Sequence, residues 1–158
     1  MKSLIGLIAA ALLMLSGVVA HASHYDLLDL ERFTDAQVRL FESRGLKTTE
    51  DVLKAALTPK ARRQLARGVK LPEADLLVFA RECELLQIRG VGPKMASLLM
   101  SAGVTGVEDL GRRDPQILRQ RLQVVNDAEK IMEGLPPEGL LYNWIQQARG
   151  VAYKVSFE

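Results

Sequence analysis

Two glycines separated by one valine lie between two stretches with helical hydrophobic spacing, in the segment IRGVGPKMASLL. Glycine permits backbone angles that other residues avoid, so Gly90 and Gly92 suit a tight turn between helices, and we expect both at positive φ. Pro93 suits the first position of the following helix. The unpaired N–H groups at a helix start carry partial positive charge and readily hold an anion. Because Arg89 and Lys94 add charge on either side, this turn is a candidate for contact with a phosphate group.

The same stretch resembles the helix-hairpin-helix motif, whose pattern is apolar-x-Gly-apolar-Gly-x-x-x-Ala. Every position that the pattern specifies has a residue of the required type: Ile88, Gly90, Val91, Gly92 and Ala96. The resemblance implies that the hairpin holds a backbone phosphate of DNA without reading the base sequence. A wider resemblance rests on the order of LTPKARRQLA, the hairpin, RRDPQILRQRLQVVN and a late Trp-Ile-x-x-Ala. That order resembles a bacterial domain-of-unknown-function family built from tandem helix-hairpin-helix units, over roughly residues 27–150.

The chain contains an internal repeat, because residues 27–52 can be aligned on residues 85–110 with many identical or similar side chains. The signals for helix ends agree between the two copies. They are C′ glycines at Gly45 and Gly103, capping boxes at Thr48-x-x-Asp51 and Thr105-x-x-Glu108, and caps followed by proline at Thr58-Pro59 and Asp114-Pro115. Gly68 is expected to end the helix after Thr58, and Asn126 to start another.

These signals predict an all-α fold: a tandem helix-hairpin-helix repeat of short helices with a C-terminal helix, preceded by a signal peptide. We divide the chain into a signal peptide over 1–22 and a first, degenerate unit over 23–82. The second unit, with the intact Gly-Val-Gly hairpin, covers 83–126. C-terminal helices and an extended tail cover 127–158.

The first unit departs from the hairpin pattern. Arg32 and Thr34 stand where the second unit has its two glycines. Both side chains would obstruct a phosphate. Thr34 is expected to be a helix N-cap, and the following Asp35 would repel an anion. We therefore interpret the turn of the first unit as structural.

A second basic feature belongs to the first unit. On a helix that starts at Pro59, Lys60, Arg63 and Arg67 lie within about 60° of one another at 100° per residue. This basic stripe is either a second contact with a polyanion or an ordinary solvated helix face. Ser97 shares a helix face with Lys94. The candidate phosphate- or DNA-binding residues are Arg89, Gly90, Val91, Gly92, Lys94, Ser97, Lys60, Arg63, Arg67 and Arg119.

The N-terminal segment has the pattern of a secretory signal. Lys2 precedes an uncharged, apolar run over residues 4–20, and Ala20-His21-Ala22 follows the small-x-small rule of a cleavage site. Cleavage after Ala22 or Ala20 would give a periplasmic or secreted protein. A retained segment would anchor the protein in the membrane, since its length is at the short end of what spans a bilayer.

Composition and charge exclude several classes of protein. The chain has 21 basic and 19 acidic residues, so its formal net charge of +2 is not the strongly basic balance of a typical nucleic-acid binder. The one cysteine, Cys83, is expected to be a small core residue. The sequence has no paired carboxylates, Ser-His-Asp arrangement or metal-ligand spacing. We therefore expect a protein that is not an enzyme and uses no metal, no cofactor and no small-molecule substrate.

Two functions of different classes remain. The preferred hypothesis is an exported module that contacts DNA or another polyanion through backbone phosphates, without sequence preference. The alternative is a protein–protein interaction or scaffold module of the cell envelope that does not bind nucleic acid. The methionines Met95, Met100 and Met132 are expected to fill the core in either case. In a third interpretation, the glycines of the hairpin serve helix packing alone.

Overall fold

The computed structural model describes residues 24–30 and 32–156. Over these residues the protein is all-α, as predicted, with eight α-helices, a short 3₁₀ turn at Leu27–Asp29 and no strand. The signal peptide predicted over residues 1–22 lies outside the described residues. Among the helices that are described, none has the length and hydrophobicity needed to cross a bilayer.

The first half of the described chain forms four helices. They are α1 (Asp35–Glu42), α2 (Thr49–Ala55), α3 (Pro59–Val69) and α4 (Glu73–Leu85). Threonine caps the first three, because the side chains of Thr34, Thr48 and Thr58 each accept a hydrogen bond from a backbone N–H three residues on. The complete capping box that the sequence predicts between Thr48 and Asp51 is confirmed.

The second half also forms four helices. They are α5 (Pro93–Ser101), α6 (Val107–Leu110), α7 (Pro115–Glu129) and α8 (Glu138–Arg149). Asp114 caps α7 as predicted, since its carboxylate accepts a hydrogen bond from the Ile117 N–H at 2.9 Å. The predicted C′ glycines are confirmed by positive φ angles of 77° at Gly45 and 86° at Gly103.

The start of α6 differs from the prediction. Its N-cap is Gly106, at φ 144°, rather than Thr105. The first N–H of the helix, at Val107, donates to the carboxylate of Glu84 on α4 at 3.0 Å. The cap of α6 is therefore supplied by a distant helix, so the predicted box with Glu108 is wrong.

Two predicted helix boundaries are also wrong. α3 continues through Gly68 and ends at Lys70, which has a φ of 56°. The Arg44 side chain occupies the space that a Cβ at Gly68 would need, so this glycine serves packing rather than helix termination. α7 continues through Asn126, whose buried side chain exchanges two 2.8 Å hydrogen bonds with the backbone of Met132.

α4 is the central helix, because it packs against α2, α3, α5 and α6. It contributes Phe79 to a cluster with Phe33 and Phe41, in which ring centroids lie 4.3 to 5.9 Å apart. Cys83 is buried in the core as predicted, and burial raises the pKa of its thiol. α8 packs across α6 and α7.

The C-terminal tail, residues 151–156, is not helical and bridges the two halves. Its backbone N–H groups donate at three points: Tyr153 to Gln87, Val155 to Glu84, and Ser156 to Leu57. The buried guanidinium of Arg62 donates to the carbonyls of Ala56, Leu57 and Ser156, at 2.7 to 3.1 Å. The tail therefore joins α4 to the turn between α2 and α3.

Candidate functional site

The two glycines of the hairpin have different conformations. Gly90 has a φ of 92°, as predicted. Gly92 has a φ of −91° and a ψ of 175°, so its predicted positive φ is wrong. The physical reason is its position, because an N-cap residue takes extended angles that any residue can adopt. Val91 between them is fully buried and its N–H donates to the Ile88 carbonyl at 3.0 Å.

The N-terminus of α5 has no side chain to cap it, since its N-cap is Gly92 and Pro93 occupies the first helical position. Among the described residues, no acceptor lies within hydrogen-bond distance of the N–H groups of Gly92, Lys94 and Met95. The side chain of Lys94 is exposed beside them. The start of α5 therefore offers several backbone donors and one cation to a negatively charged group.

The hairpin opens onto a groove with a volume of about 1010 Å³. The lining comes from the turn at Gly90 and Gly92, from α5, from the segment between α7 and α8, from α8, and from residues before α1 and on α4. The lining residues are Asp29, Arg32, Glu82, Gly90, Gly92, Pro93, Lys94, Met95, Ser97, Ile131, Met132, Gly134, Leu135, Pro136, Leu140 and Trp144. We call this the hairpin groove.

Charged groups of both signs line the hairpin groove. Glu82 is 4% exposed and forms a salt bridge with Arg32. Burial raises the pKa of the Glu82 carboxyl, and the neighbouring Arg32 guanidinium opposes that shift. Lys94 and Asp29 have no ion-pair partner among the described residues. The groove is therefore close to neutral, with one free cation at the start of α5.

Trp144 on α8 packs directly against the hairpin. It is 2% exposed, and its indole Nε1 lies 3.1 Å from the point that a Cβ at Gly90 would occupy. This N–H has no hydrogen-bond partner within the part of the chain that is described. Position 90 therefore requires glycine for two reasons: its φ is positive, and the close approach of Trp144 leaves little room for a Cβ.

The predicted site residues separate into two groups. Four of them come together at the hairpin groove: Gly90, Gly92, Lys94 and Ser97. The basic stripe lies on α3, which packs against α1, α2 and α4, whereas α5 packs against α4 and α7. Lys60, Arg63 and Arg67 are exposed and do not line the groove. Arg63 lies 3.7 Å from the Glu73 carboxylate, so its charge is partly offset.

Three other predicted residues also lie outside the groove lining. Arg89 is exposed, and its backbone N–H donates to the Gln147 side chain at 3.0 Å. Arg119 is exposed on α7. Val91 is buried with its N–H already bonded, so neither its side chain nor its N–H is free to contact a phosphate.

The sequence interpretation missed several groove residues. Arg32 was assigned to a purely structural turn, yet it lines the groove from the first unit. Glu82 lies beside Cys83, a residue expected in the core, and a buried acid requires a partner, so the sequence offered a signal for it. Met95 and Met132 were predicted to fill the core, and both also line the groove. No spacing rule joins the segment 131–136 to the hairpin, so that wall could not be found from the sequence.

Comparison with known families identifies the chain. A family model described as a domain of unknown function, DUF4332, matches residues 31–151. The chain belongs to this family. No curated protein and no solved structure matches it. Because the family description states no activity, function has to be argued from the groove and the hairpin. Among the described residues, no cluster of three or more metal-binding side chains is present.

Proposed function

We propose that the protein is an exported, non-enzymatic binding module that contacts DNA or another polyanion through backbone phosphates, without sequence preference. The observation that carries the proposal is the uncapped N-terminus of α5, with free N–H groups and Lys94 beside the Gly90 turn. Such a helix start is a general anion site, and it reads charge rather than base identity.

The order of the helices supports a tandem helix-hairpin-helix architecture. In the alignment of the two sequence copies, the first residue of α1, Asp35, pairs with the first residue of α5, Pro93. The starts of α2 and α6 pair in the same alignment, and α3 and α7 each begin with the proline of a matched cap-proline pair. This correspondence favours two related units, over residues 23–82 and 83–126.

A phosphate would contact the hairpin backbone at Gly92, the Lys94 ammonium and the Ser97 hydroxyl. A second phosphate contact, on another part of the surface, would come from the basic stripe of α3. Arg89 and Arg119 are further exposed bases that a long polyanion could reach. Because these contacts are separate and few, we expect weak binding that depends strongly on salt.

A salt titration tests this function. Fluorescence anisotropy of a labelled duplex should give a log–log slope near −2 to −4, at about 0.9 per phosphate neutralised. Lys94→Gln should make the slope shallower by about one, and the triple substitution of Lys60, Arg63 and Arg67 by Gln by two to three. Lys47→Gln, an exposed lysine away from both sites, is the matched control. If no binding occurs even at about 20 mM salt, where screening is weakest, the function is wrong.

A second function is favoured by the apolar walls of the hairpin groove. Six lining residues carry apolar side chains other than proline: Met95, Ile131, Met132, Leu135, Leu140 and Trp144. An apolar groove with a few polar groups is typical of a site for a protein segment rather than for a phosphate backbone. This observation favours a protein–protein interaction or scaffold module of the cell envelope.

A further inference from the structure

We propose that the hairpin groove docks the C-terminal end of a partner polypeptide, in which apolar side chains precede a free α-carboxylate. The inference rests on the second function above, and it names both the ligand and its orientation. The carboxylate lies at the start of α5, and the apolar side chains lie against Met95, Met132 and Leu135.

The walls of the groove are held in place before a ligand binds. Asn126 fixes the backbone of Met132 through two 2.8 Å hydrogen bonds, which sets the position of the part of the wall formed by the segment between α7 and α8. Trp144 is packed against Gly90 at the hairpin. A groove formed in advance reduces the ordering cost of binding. Its volume of about 1010 Å³ is at the upper end of the range for small-molecule sites, roughly 300–1,000 Å³, and can hold several peptide residues.

Charge complementarity determines the orientation. The start of α5 presents the free N–H groups of Gly92, Lys94 and Met95, and the exposed Lys94 ammonium adds a full positive charge. The Nε1 of Trp144, which is buried and without a partner in the described residues, lies beside Gly90 at the same end of the groove. These donors suit a carboxylate, and capture of a terminal carboxylate by backbone N–H groups is a known mode of peptide recognition.

A carboxylate in the lining of the groove favours a peptide over a lipid as the ligand. Asp29 lines the groove with a carboxylate that has no partner among the described residues. The N–H groups of a peptide backbone could donate to it, whereas an acyl chain would leave this charge against hydrocarbon at a cost.

The test uses the one tryptophan of the chain, Trp144, whose fluorescence reports on the groove. The mature full-length protein is titrated with a pool of N-acetylated pentapeptides that end in two residues chosen from leucine, isoleucine and phenylalanine. The same pool with a C-terminal amide in place of the free acid is the matched control. We expect the free acids to change the Trp144 emission, and the amides to bind at least about tenfold more weakly, because they lack the charge-assisted hydrogen bonds.

Two variants distinguish the carboxylate-binding end of the groove from its apolar part. Lys94→Gln should weaken binding of the acids severalfold and leave the amides unaffected. Ile131→Asn should weaken both pools, and Ile117→Asn is its control, since Ile117 is 55% exposed on α7 outside the groove. Circular dichroism melts of each variant show whether it is folded.

Several results would overturn the proposal. Equal binding of acids and amides would mean that the start of α5 does not hold the carboxylate. No change in Trp144 emission up to about 1 mM peptide would exclude docking at any useful affinity. A fatty acid such as laurate that binds where the peptides do not would identify a lipid site instead. A change in emission with duplex DNA alone would overturn the peptide site while leaving the phosphate-binding function standing.

Discussion

The two glycines of the hairpin look alike in the sequence but have different roles. Gly90 adopts a φ of 92° and touches Trp144. Gly92 is an extended N-cap, and among the described residues only the Tyr25 hydroxyl comes near the point of a Cβ, at 3.7 Å. The motif predicts a glycine pair, but not which member carries the positive φ. That distinction depends on where α5 begins and on a tryptophan 54 residues away in sequence.

The first prediction at this scale compares alanine at the two positions. Gly90→Ala should destabilise the protein by about 1–3 kcal/mol, because a Cβ would be strained at positive φ and would crowd the Trp144 indole. Gly92→Ala should cost less than about 1 kcal/mol, since its angles suit any residue. Urea unfolding followed by circular dichroism measures both. Equal losses would show that the two positions share the same constraint, contrary to their φ angles.

At the scale of elements, the sequence predicts helices well where their caps are local. Thr34, Thr48 and Thr58 each cap the helix that follows them in the chain. Prediction from the sequence fails where the cap or the packing partner of a helix is distant along the chain. The first N–H of α6 is bonded by Glu84, and Gly68 accommodates Arg44, neither of which is visible from neighbouring residues.

Glu84 joins three elements and gives a prediction about pH. Its buried carboxylate accepts hydrogen bonds from Val155 in the tail at 2.6 Å and from Val107 in α6 at 3.0 Å. Burial raises the pKa of this carboxyl above its usual value of 4.5, although the two backbone hydrogen bonds oppose the shift. As pH rises above 4.5, the unfolded chain releases this proton before the folded protein does. The contribution of Glu84 to the free energy of unfolding therefore falls until the pH passes the folded pKa.

The comparison with Glu84→Gln isolates this effect, because glutamine does not titrate. We expect the free energy of unfolding of the native protein, relative to that of the variant, to decrease as pH rises from about 4.5 and then to level off. Urea unfolding at a series of pH values measures the difference. Glu108→Gln is the control, since Glu108 is exposed and forms its ion pair with Arg112, one turn further along the chain. A difference that increases with pH in this window would contradict the assignment.

At the scale of the whole molecule, the candidate site is a product of the fold rather than of one motif. The sequence locates the hairpin and its lysine, and these do lie together. The groove also needs Asp29 and Arg32, which precede α1, and residues of the segment between α7 and α8. Those contacts depend on how α4 and α8 bring distant segments together, which no local pattern encodes. The basic stripe lies apart from the hairpin for the same reason, because the packing of the helices and not a local pattern sets their positions.

Export is also a property of the whole chain, and it provides the last prediction. Close to the predicted cleavage site the chain contacts α2: the N–H of Tyr25 donates to the Thr49 hydroxyl at 3.2 Å, and its carbonyl accepts from the Thr49 N–H at 2.9 Å. Cleavage after Ala22 would leave both residues of this contact in the mature chain. We expect the protein expressed in a bacterium to be recovered from the periplasm or the medium, with Ser23 as its N-terminus.

Intact-mass measurement of the exported protein tests this directly. Ala20→Glu combined with Ala22→Glu should block processing, because a signal peptidase needs small residues at those positions, and the full precursor should then accumulate. A native protein that retains Met1 in the membrane fraction would indicate an uncleaved anchor. Full-length native protein in the cytoplasm would contradict export. It would also contradict the location that both proposed functions, DNA binding and an envelope scaffold, assume.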